Sequence, residues 1–180
     1  MATEQIAILG GGCFWCIEAA LNRIKGVNTA ISGYSGGNID KPTYQDICTG
    51  TSEHAEVIQV HFDPTLINYE TILHLFFQLH DPTQLNRQGN DIGTQYRSVI
   101  FYLDQSQKEI ATKVIQDLNN QQIWQQPIVT EVSPAAIFYP AENYHQDYVS
   151  NNPQQPYCQL VVIPKLDKFL HQYKDFLKTS

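Results

Sequence analysis

Cys13 and Cys16, with Gly10-Gly11-Gly12 before them and Phe14-Trp15 between them, are the residues whose types and spacing are best suited to chemistry. The flanking pattern reads as a buried strand, Ile6-Ala7-Ile8-Leu9, a glycine turn, and a helix that starts at the first cysteine and runs through Ile17-Glu18-Ala19-Ala20-Leu21. A thiol at a helix N-terminus faces unpaired backbone N–H groups and the positive end of the helix dipole, and both favour the thiolate. Cys13 is thereby the candidate nucleophile. The glycines read as a close backbone approach that leaves its thiol reachable. They do not read as a phosphate cradle, because neither G-x-G-x-x-G nor a GK[ST] follows. The C-x-x-C pair also fits dithiol–disulfide exchange, half of a zinc site, or two packed thiols with no chemical role. Zinc needs a second ligand pair, and Cys48 and Cys158 stand alone in sequence. The two bulky rings count against a general exchange motif, and Cys48 reads as a packed core thiol.

Four further polar side chains lie in, or at the edges of, turn-rich segments: Tyr44, Glu56, Asp91 and Tyr96. Glu56 leads the apolar strand Ala55–Phe62, a position where partial burial would raise its pKa and make it a proton donor. Asp91 and Tyr96 fall in the longest irregular segment, Asp81–Gln95, and a loop of that length in a compact domain is more often functional than idle.

The elements that must position these groups follow from periodicity. Val27–Tyr34 and Ala55–Phe62 alternate as strands, the second with Ile58, Val60 and Phe62 on one face. Asn68 caps a helix over Tyr69–Leu79 carrying Ile72, Leu75, Phe76 and Leu79. Arg97–Leu103 is strand-like, Ser106–Leu118 is an amphipathic helix, and Ile128–Val132 is a further strand. Pro140 is expected in the first turn of a short helix, and Pro164 opens a last helix with Leu166, Phe169, Leu170, Tyr173, Phe176 and Leu177 on its stripe. The order β-α-β-β-α-β-α-β predicts an α+β fold: a single two-layer domain over residues 1–180, a mixed sheet with helices packed on it in a ferredoxin-like plait, and an irregular C-terminal segment. A doubly wound parallel sheet is the alternative.

A chain of 180 residues with 42% apolar and 16% charged residues suits one cored domain. The net charge of −7, with no Lys/Arg cluster, argues against nucleic acid and anionic membrane surfaces. The N-terminus lacks a signal-peptide pattern and no apolar run could span a bilayer, so the expected location is cytoplasmic, with four cysteines that are free, metal-bound or catalytic. The expected state is a monomer.

Gly12-Cys13-Phe14-Trp15 resembles the signature of the type A peptide methionine sulfoxide reductases. The segments Gly33-Tyr34-Ser35-Gly36-Gly37, Pro42-Thr43-Tyr44, Cys48-Thr49-Gly50, His54-Ala55-Glu56, His80-Asp81-Pro82-Thr83, Gly89 through Ser98 and Phe138 through Gln146 resemble the family's pattern in the same order, over nearly the whole chain up to Cys158. The resemblance implies that Cys13 attacks the sulfur of methionine-S-sulfoxide, free or in oxidised proteins, that Glu56 supplies a proton to the sulfoxide oxygen, and that the Tyr44 and Tyr96 hydroxyls polarise it. It implies an apolar wall of Phe14 and Trp15 for the substrate's methyl group, and Asp91 as a supporting residue. It further implies a sulfenic acid on Cys13, condensed with a second thiol and reduced by thioredoxin, with no metal or organic cofactor. Two resolving thiols compete. Cys16 is near in sequence, whereas Cys158 resembles the family's usual recycling position and is preferred. The competing functions are a general thiol–disulfide oxidoreductase using Cys13 and Cys16, and a zinc-binding module.

Overall fold

The computed structural model describes residues 3–178; residues 1–2 of the N-terminal stretch considered above, and residues 179–180, lie outside it. Its sheet is built from β1 (Gln5–Gly10), β2 (Val27–Ser35), β3 (Ala55–Phe62), β6 (Val99–Tyr102), β7 (Glu131–Pro134) and β8 (Tyr139–Pro140), while β4 (Arg87–Gln88) and β5 (Asp91–Ile92) form a separate hairpin. The order across the sheet is β7-β6-β1-β3-β2-β8, and every pairing is antiparallel except β6 with β7. The inner four strands, β6-β1-β3-β2, make the α/β plait expected from the element order. A doubly wound parallel sheet is ruled out by the antiparallel pairings.

Period-two alternation sorts the two faces. Ala7 and Leu9 of β1, with Ile58, Val60 and Phe62 of β3, join the main core under the helices. Ile8, Val57, Val99 and Phe101 form a smaller cluster on the opposite face, covered by Ala135 and Phe138. The helices α1 (Phe14–Leu21), α3 (Tyr69–Gln78), α4 (Gln105–Asn120) and α6 (Ile163–Gln172) close the main core with Ile17 and Leu21, Ile72 and Phe76, Val114 and Leu118, and Leu166 and Phe169. Each such side chain contributes roughly 1.5–3 kcal/mol by leaving water. The Asn68 cap is formed, its side chain accepting the Thr71 N–H at 2.8 Å. A five-residue helix, α2 (Tyr44–Cys48), begins in a capping box between Thr43 and Asp46. No described helix is long and apolar enough to cross a membrane.

Several elements differ from the expectation. Pro140 is not in a helix: it sits in edge strand β8 opposite Gly33, where a residue without an N–H is tolerated. The helical turn comes later, at Asn143–His145. The strand expected at Ile128–Val132 is shifted to Glu131–Pro134, because the Ile128 and Val129 N–H groups are taken by the Asn119 side chain and the Pro82 carbonyl. The segment after Asp81 holds the β4–β5 hairpin and a turn of 3-10 helix at Thr94–Tyr96. Cys158 begins a π-helical turn, Cys158–Val162, that runs directly into α6. Cys48, expected in the core, is exposed at the end of α2; its neighbour Ile47 is the buried residue.

The glycine turn serves a different contact from the one expected. A Cβ on Gly11 would stand 2.8 Å from the His80 ring, and one on Gly12 would stand 2.7 Å from the Gln88 side chain, so the space is filled by protein. Gly12 also has φ +88°, which L side chains rarely adopt. Gly12→Ala is expected to lower stability by about 1–3 kcal/mol, read as a shift in the urea midpoint; a midpoint at the wild-type value would contradict this reading of the turn.

Candidate active site

Cys13 is the N-cap of α1, in extended backbone just before the helix. The Trp15 N–H at the helix start favours the thiolate, as foreseen from the sequence, but the Cys13 side chain makes no cap hydrogen bond, and the net effect is opposite to that expectation. Burial first, then the Glu56 carboxylate, push the thiol well above the ordinary cysteine range, and the Asp91 charge adds to them. The resting group is therefore a thiol. One N–H cannot offset desolvation plus neighbouring negative charge.

Glu56 is buried in β3, opposite Tyr34 of β2, and its Oε1 accepts the Phe14 N–H at 3.2 Å. The carboxylate thus occupies the first free N–H of the helix that Cys13 caps. Burial raises its pKa to about 8 against the opposing effect of that hydrogen bond. With Oε1 engaged as acceptor, Oε2 is the oxygen left to carry a proton. Cys13 and Glu56 also raise the cost of each other's ionisation, so a thiolate forming at Cys13 keeps Glu56 protonated.

Tyr44, Tyr96 and Asp91 join this cluster. Burial raises the Tyr44 phenol first, and Glu56, Cys48 and Tyr96 add to it. The Tyr96 phenol is likewise raised by burial, then by Glu56, Asp91, Cys13 and Cys48. Both tyrosines consequently stay neutral and remain hydrogen-bond donors. Asp91, on β5, accepts from the Tyr157 hydroxyl at 2.7 Å. A cavity of about 490 Å³ opens beside Cys13, lined by Cys16, Gln88, Asp91, Tyr157, Val162 and Lys165 among others. All four cysteines are free thiols, and among the described residues no group of three or more His, Cys, Asp or Glu could hold a metal ion.

The two rings after Cys13 are held differently from one another. Phe14 is buried, its ring 5.7 Å from that of Tyr34 and 5.3 Å from that of His145. Trp15 is half-buried and stacks almost parallel on Tyr148 at 3.8 Å. Its indole N–H donates to His145 Nδ1 at 3.0 Å, which leaves the proton of a neutral His145 on Nε2. Burial lowers the His145 pKa and keeps the imidazole in that accepting form.

One short segment ties these parts together. Glu142 accepts the Tyr44 N–H at 3.0 Å and the Tyr34 hydroxyl at 2.9 Å. Gln146 bridges to the Ser32 backbone in both directions, and the Asp147 N–H reaches the buried Glu18 carboxylate of α1. Burial raises Glu18 to about 7. The strap from Glu142 to Tyr148 therefore fixes α2, the end of β2 and the first turn of α1 relative to one another. Of the sequence-predicted residues, Cys13, Glu56, Tyr44, Tyr96 and Asp91 come together, with Trp15 and Phe14 at their border. Cys158 is fully buried and does not line the cavity. Tyr157, Glu142, His145 and Tyr148 escaped the sequence reading. Tyr157 was overshadowed by its neighbour Cys158; Glu142 and His145 lie in a segment read only as a short helix and as part of the resemblance, and Tyr148 lies just beyond it.

This fold brings a thiol, a carboxyl that burial keeps protonated and two un-ionised phenols into one cluster, the set of groups that thiol chemistry with a proton donor requires. Comparison with known proteins gives the family: residues 5–177 match the model of the peptide methionine sulfoxide reductases. The chain is 55% identical to the peptide methionine sulfoxide reductase MsrA of Chromobacterium violaceum over 96% of its own length and 98% of that protein's. Among solved structures it is similar to methionine sulfoxide reductase A of Corynebacterium diphtheriae (TM-score 0.79, 33% identity, 84% of this chain and 76% of that one) and to reduced Mxr1 of Saccharomyces cerevisiae (TM-score 0.78, 34% identity, 84% and 87%). Mxr1 has also been solved in complex with Trx2. The chain belongs to the peptide methionine sulfoxide reductase family and is an oxidoreductase of its A type.

His145→Phe removes the acceptor of the Trp15 indole and is expected to cost about 1–3 kcal/mol of stability. In a Trp124→Phe background, which leaves Trp15 as the only tryptophan, it should also change the emission spectrum. An unchanged spectrum and urea midpoint would show that the bond does not hold the indole.

Proposed function

We propose that the protein reduces the S epimer of methionine sulfoxide, free or within oxidised proteins, with Cys13 as nucleophile and Glu56 as general acid. The observation that carries this reading is the buried Glu56 carboxyl, raised to about 8 beside the Cys13 thiol. A sulfoxide sulfur becomes electrophilic only when its oxygen is protonated or strongly hydrogen-bonded. A carboxylic acid that stays neutral at pH 7, flanked by two phenols that do not ionise, meets that need.

In this reading the sulfoxide oxygen accepts hydrogen bonds from Tyr44 and Tyr96 and a proton from Glu56, while Cys13 Sγ attacks the sulfur. Over the whole step the oxygen passes to Cys13, the thiol hydrogen ends on that oxygen, and methionine leaves. Cys13 becomes a sulfenic acid and the sulfoxide is reduced by two electrons. Trp15, held by His145 and Tyr148, is the wall for the methyl group, and the buried Phe14 backs it. Asp91 and Tyr157 form one hydrogen-bonded unit at the border of the site. A second thiol then condenses with the sulfenic acid, water leaves, and a thioredoxin-type dithiol reduces the disulfide. The thioredoxin assignment draws on the Trx2 complex of yeast Mxr1. The cytoplasm, a reducing compartment, suits a cycle that begins and ends with free thiols.

Cys13→Ser is expected to abolish turnover. Glu56→Gln should leave KM within a few-fold and lower kcat by roughly 10²–10⁴, the usual worth of a positioned acid. The sign of the pH effect follows from the raised carboxyl: below about 8 Glu56 holds its proton and can donate it, and above about 8 the rate falls as that proton is lost. The Glu56→Gln variant should lack this alkaline limb. Purified enzyme that leaves S-sulfoxide untouched with excess dithiothreitol, yet reduces insulin disulfides, would favour the general exchange reading and refute this one.

A further inference from the structure

We infer that Glu18 of α1 is the positioning residue that keeps the Trp15 indole in place as the wall for the substrate's methyl group, by holding the Asp147 N–H between the two residues that Trp15 touches. The inference rests on the reading above, in which Trp15 forms that wall.

Trp15 and Glu18 are three residues apart on α1, so their side chains leave the same face of the helix one turn apart. Both reach one short segment. Trp15 donates to His145 Nδ1 at 3.0 Å and stacks on Tyr148 at 3.8 Å. Between those two contacts lies Asp147, whose N–H donates to both oxygens of Glu18, at 3.2 and 3.1 Å. Asp147 has φ +54°, in the left-handed region where a residue with a side chain persists only if its surroundings hold it. This bend sets the angle between His145 and Tyr148, and an indole that touches both needs that angle kept.

The cost of this grip sets it apart from packing. Glu18 is 2% exposed, and among the described residues no Lys, Arg or His forms an ion pair with it. Burial raises its pKa to about 7 against the effect of the Asp147 N–H, and the Asp147 charge adds to the rise. A carboxyl whose pKa rises on folding favours the folded chain at low pH and loses that contribution as pH climbs to about 7, so at neutral pH it is held at a cost in stability. An apolar side chain would fill the same space without that cost. A cavity of about 450 Å³ opens beside the carboxyl; Asp147 is the one other titratable side chain on it, and β2 brings only Thr29, Ala30 and Ile31 to that wall. His145 and Tyr148, on either side of Asp147, are the titratable neighbours within the strap.

A wall for the methyl group binds it before and during the reaction alike, so the placement of Trp15 governs affinity and the choice of alkyl group more than the rate of oxygen transfer. Loss of the Glu18 acceptor frees Asp147 to leave its bend and loosens His145 and Tyr148 against the indole. Glutamine at this position keeps one carbonyl oxygen for the N–H, without a charge that changes with pH, whereas leucine offers no acceptor.

The test follows the first turnover of the reduced full-length protein by quenched flow, without reductant and with the S-sulfoxides of methionine and of ethionine at varied concentration. Glu18→Leu should raise the half-saturating concentration of methionine-S-sulfoxide about five- to tenfold, the worth of one hydrogen bond, with the saturating rate within about threefold of wild type. It should also narrow the preference for the methyl over the ethyl sulfoxide, and Glu18→Gln should restore most of both. A second readout does not need the leucine variant to fold: in a Trp124→Phe background, where Trp15 is the only tryptophan, its emission should titrate with a midpoint near about 7, and Glu18→Gln should abolish that transition. Wild-type affinity and methyl preference in Glu18→Leu, or a Trp15 transition near 7 that persists in Glu18→Gln, would overturn the inference. A wild type that releases no methionine would overturn the sulfoxide reading itself, and with it the assignment of Trp15 as the methyl wall.

Discussion

The site depends on one buried carboxyl. Glu56 sits on a strand between two others, with its Oε1 on the first N–H of the helix that Cys13 caps. In water it would be ionised at pH 7. Burial makes the anion costly, and the single backbone donor offsets only part of that cost, so the group stays neutral. Burial also holds the Cys13 proton on sulfur, and ionisation of Glu56 would hold it there more firmly. The thiol, the acid and the two phenols thus form a neutral cluster in its resting state, suited to a neutral, polar substrate oxygen. In the proposed reaction, charge develops only when the thiol attacks.

The sheet supplies rigidity for this arrangement, and the strap from Glu142 to Tyr148 supplies alignment. β3 fixes Glu56 and β1 leads directly to Cys13, so the thiol and the carboxyl ride on paired strands. Tyr44 lies on a short helix that would be marginal alone, and it is held through its own N–H by Glu142. Trp15 is held on the far side of the same strap by His145 and Tyr148. The segment from Glu142 to Tyr148 therefore sets the spacing between Tyr44 and Trp15.

Much of this was legible in the sequence, for reasons that differ by element. The alternation of Ala55–Phe62 and the stripe of Ile72, Leu75 and Phe76 reflect burial, which dominates the energetics, so the α+β plait followed from the element order. Glu56 was marked by a carboxylate leading an apolar strand. Pro140 was misread because a proline at a helix start and one on an edge strand look alike without the neighbouring strand. Cys48 was misread because thiol burial depends on which residue of a short helix faces inward, and Ile47 took that place. The ionisation of Cys13 was misread because a helix terminus is visible in sequence, whereas burial, and the charges of Glu56 and Asp91 from distant segments, are not. The roles of His145 and Tyr157 depend on contacts across 130 and 66 residues, respectively, which no local pattern encodes.

The central claim is that Glu56 is a neutral acid at physiological pH, and its titration is directly measurable. Carbon-13 labelling of the glutamate carboxyls, with the Glu56 resonance identified by its absence in Glu56→Gln, should give a midpoint near about 8 in the reduced protein. A midpoint in the ordinary carboxylate range near 4.5 would mean that the group is an anion at pH 7 and would contradict its role as the proton donor.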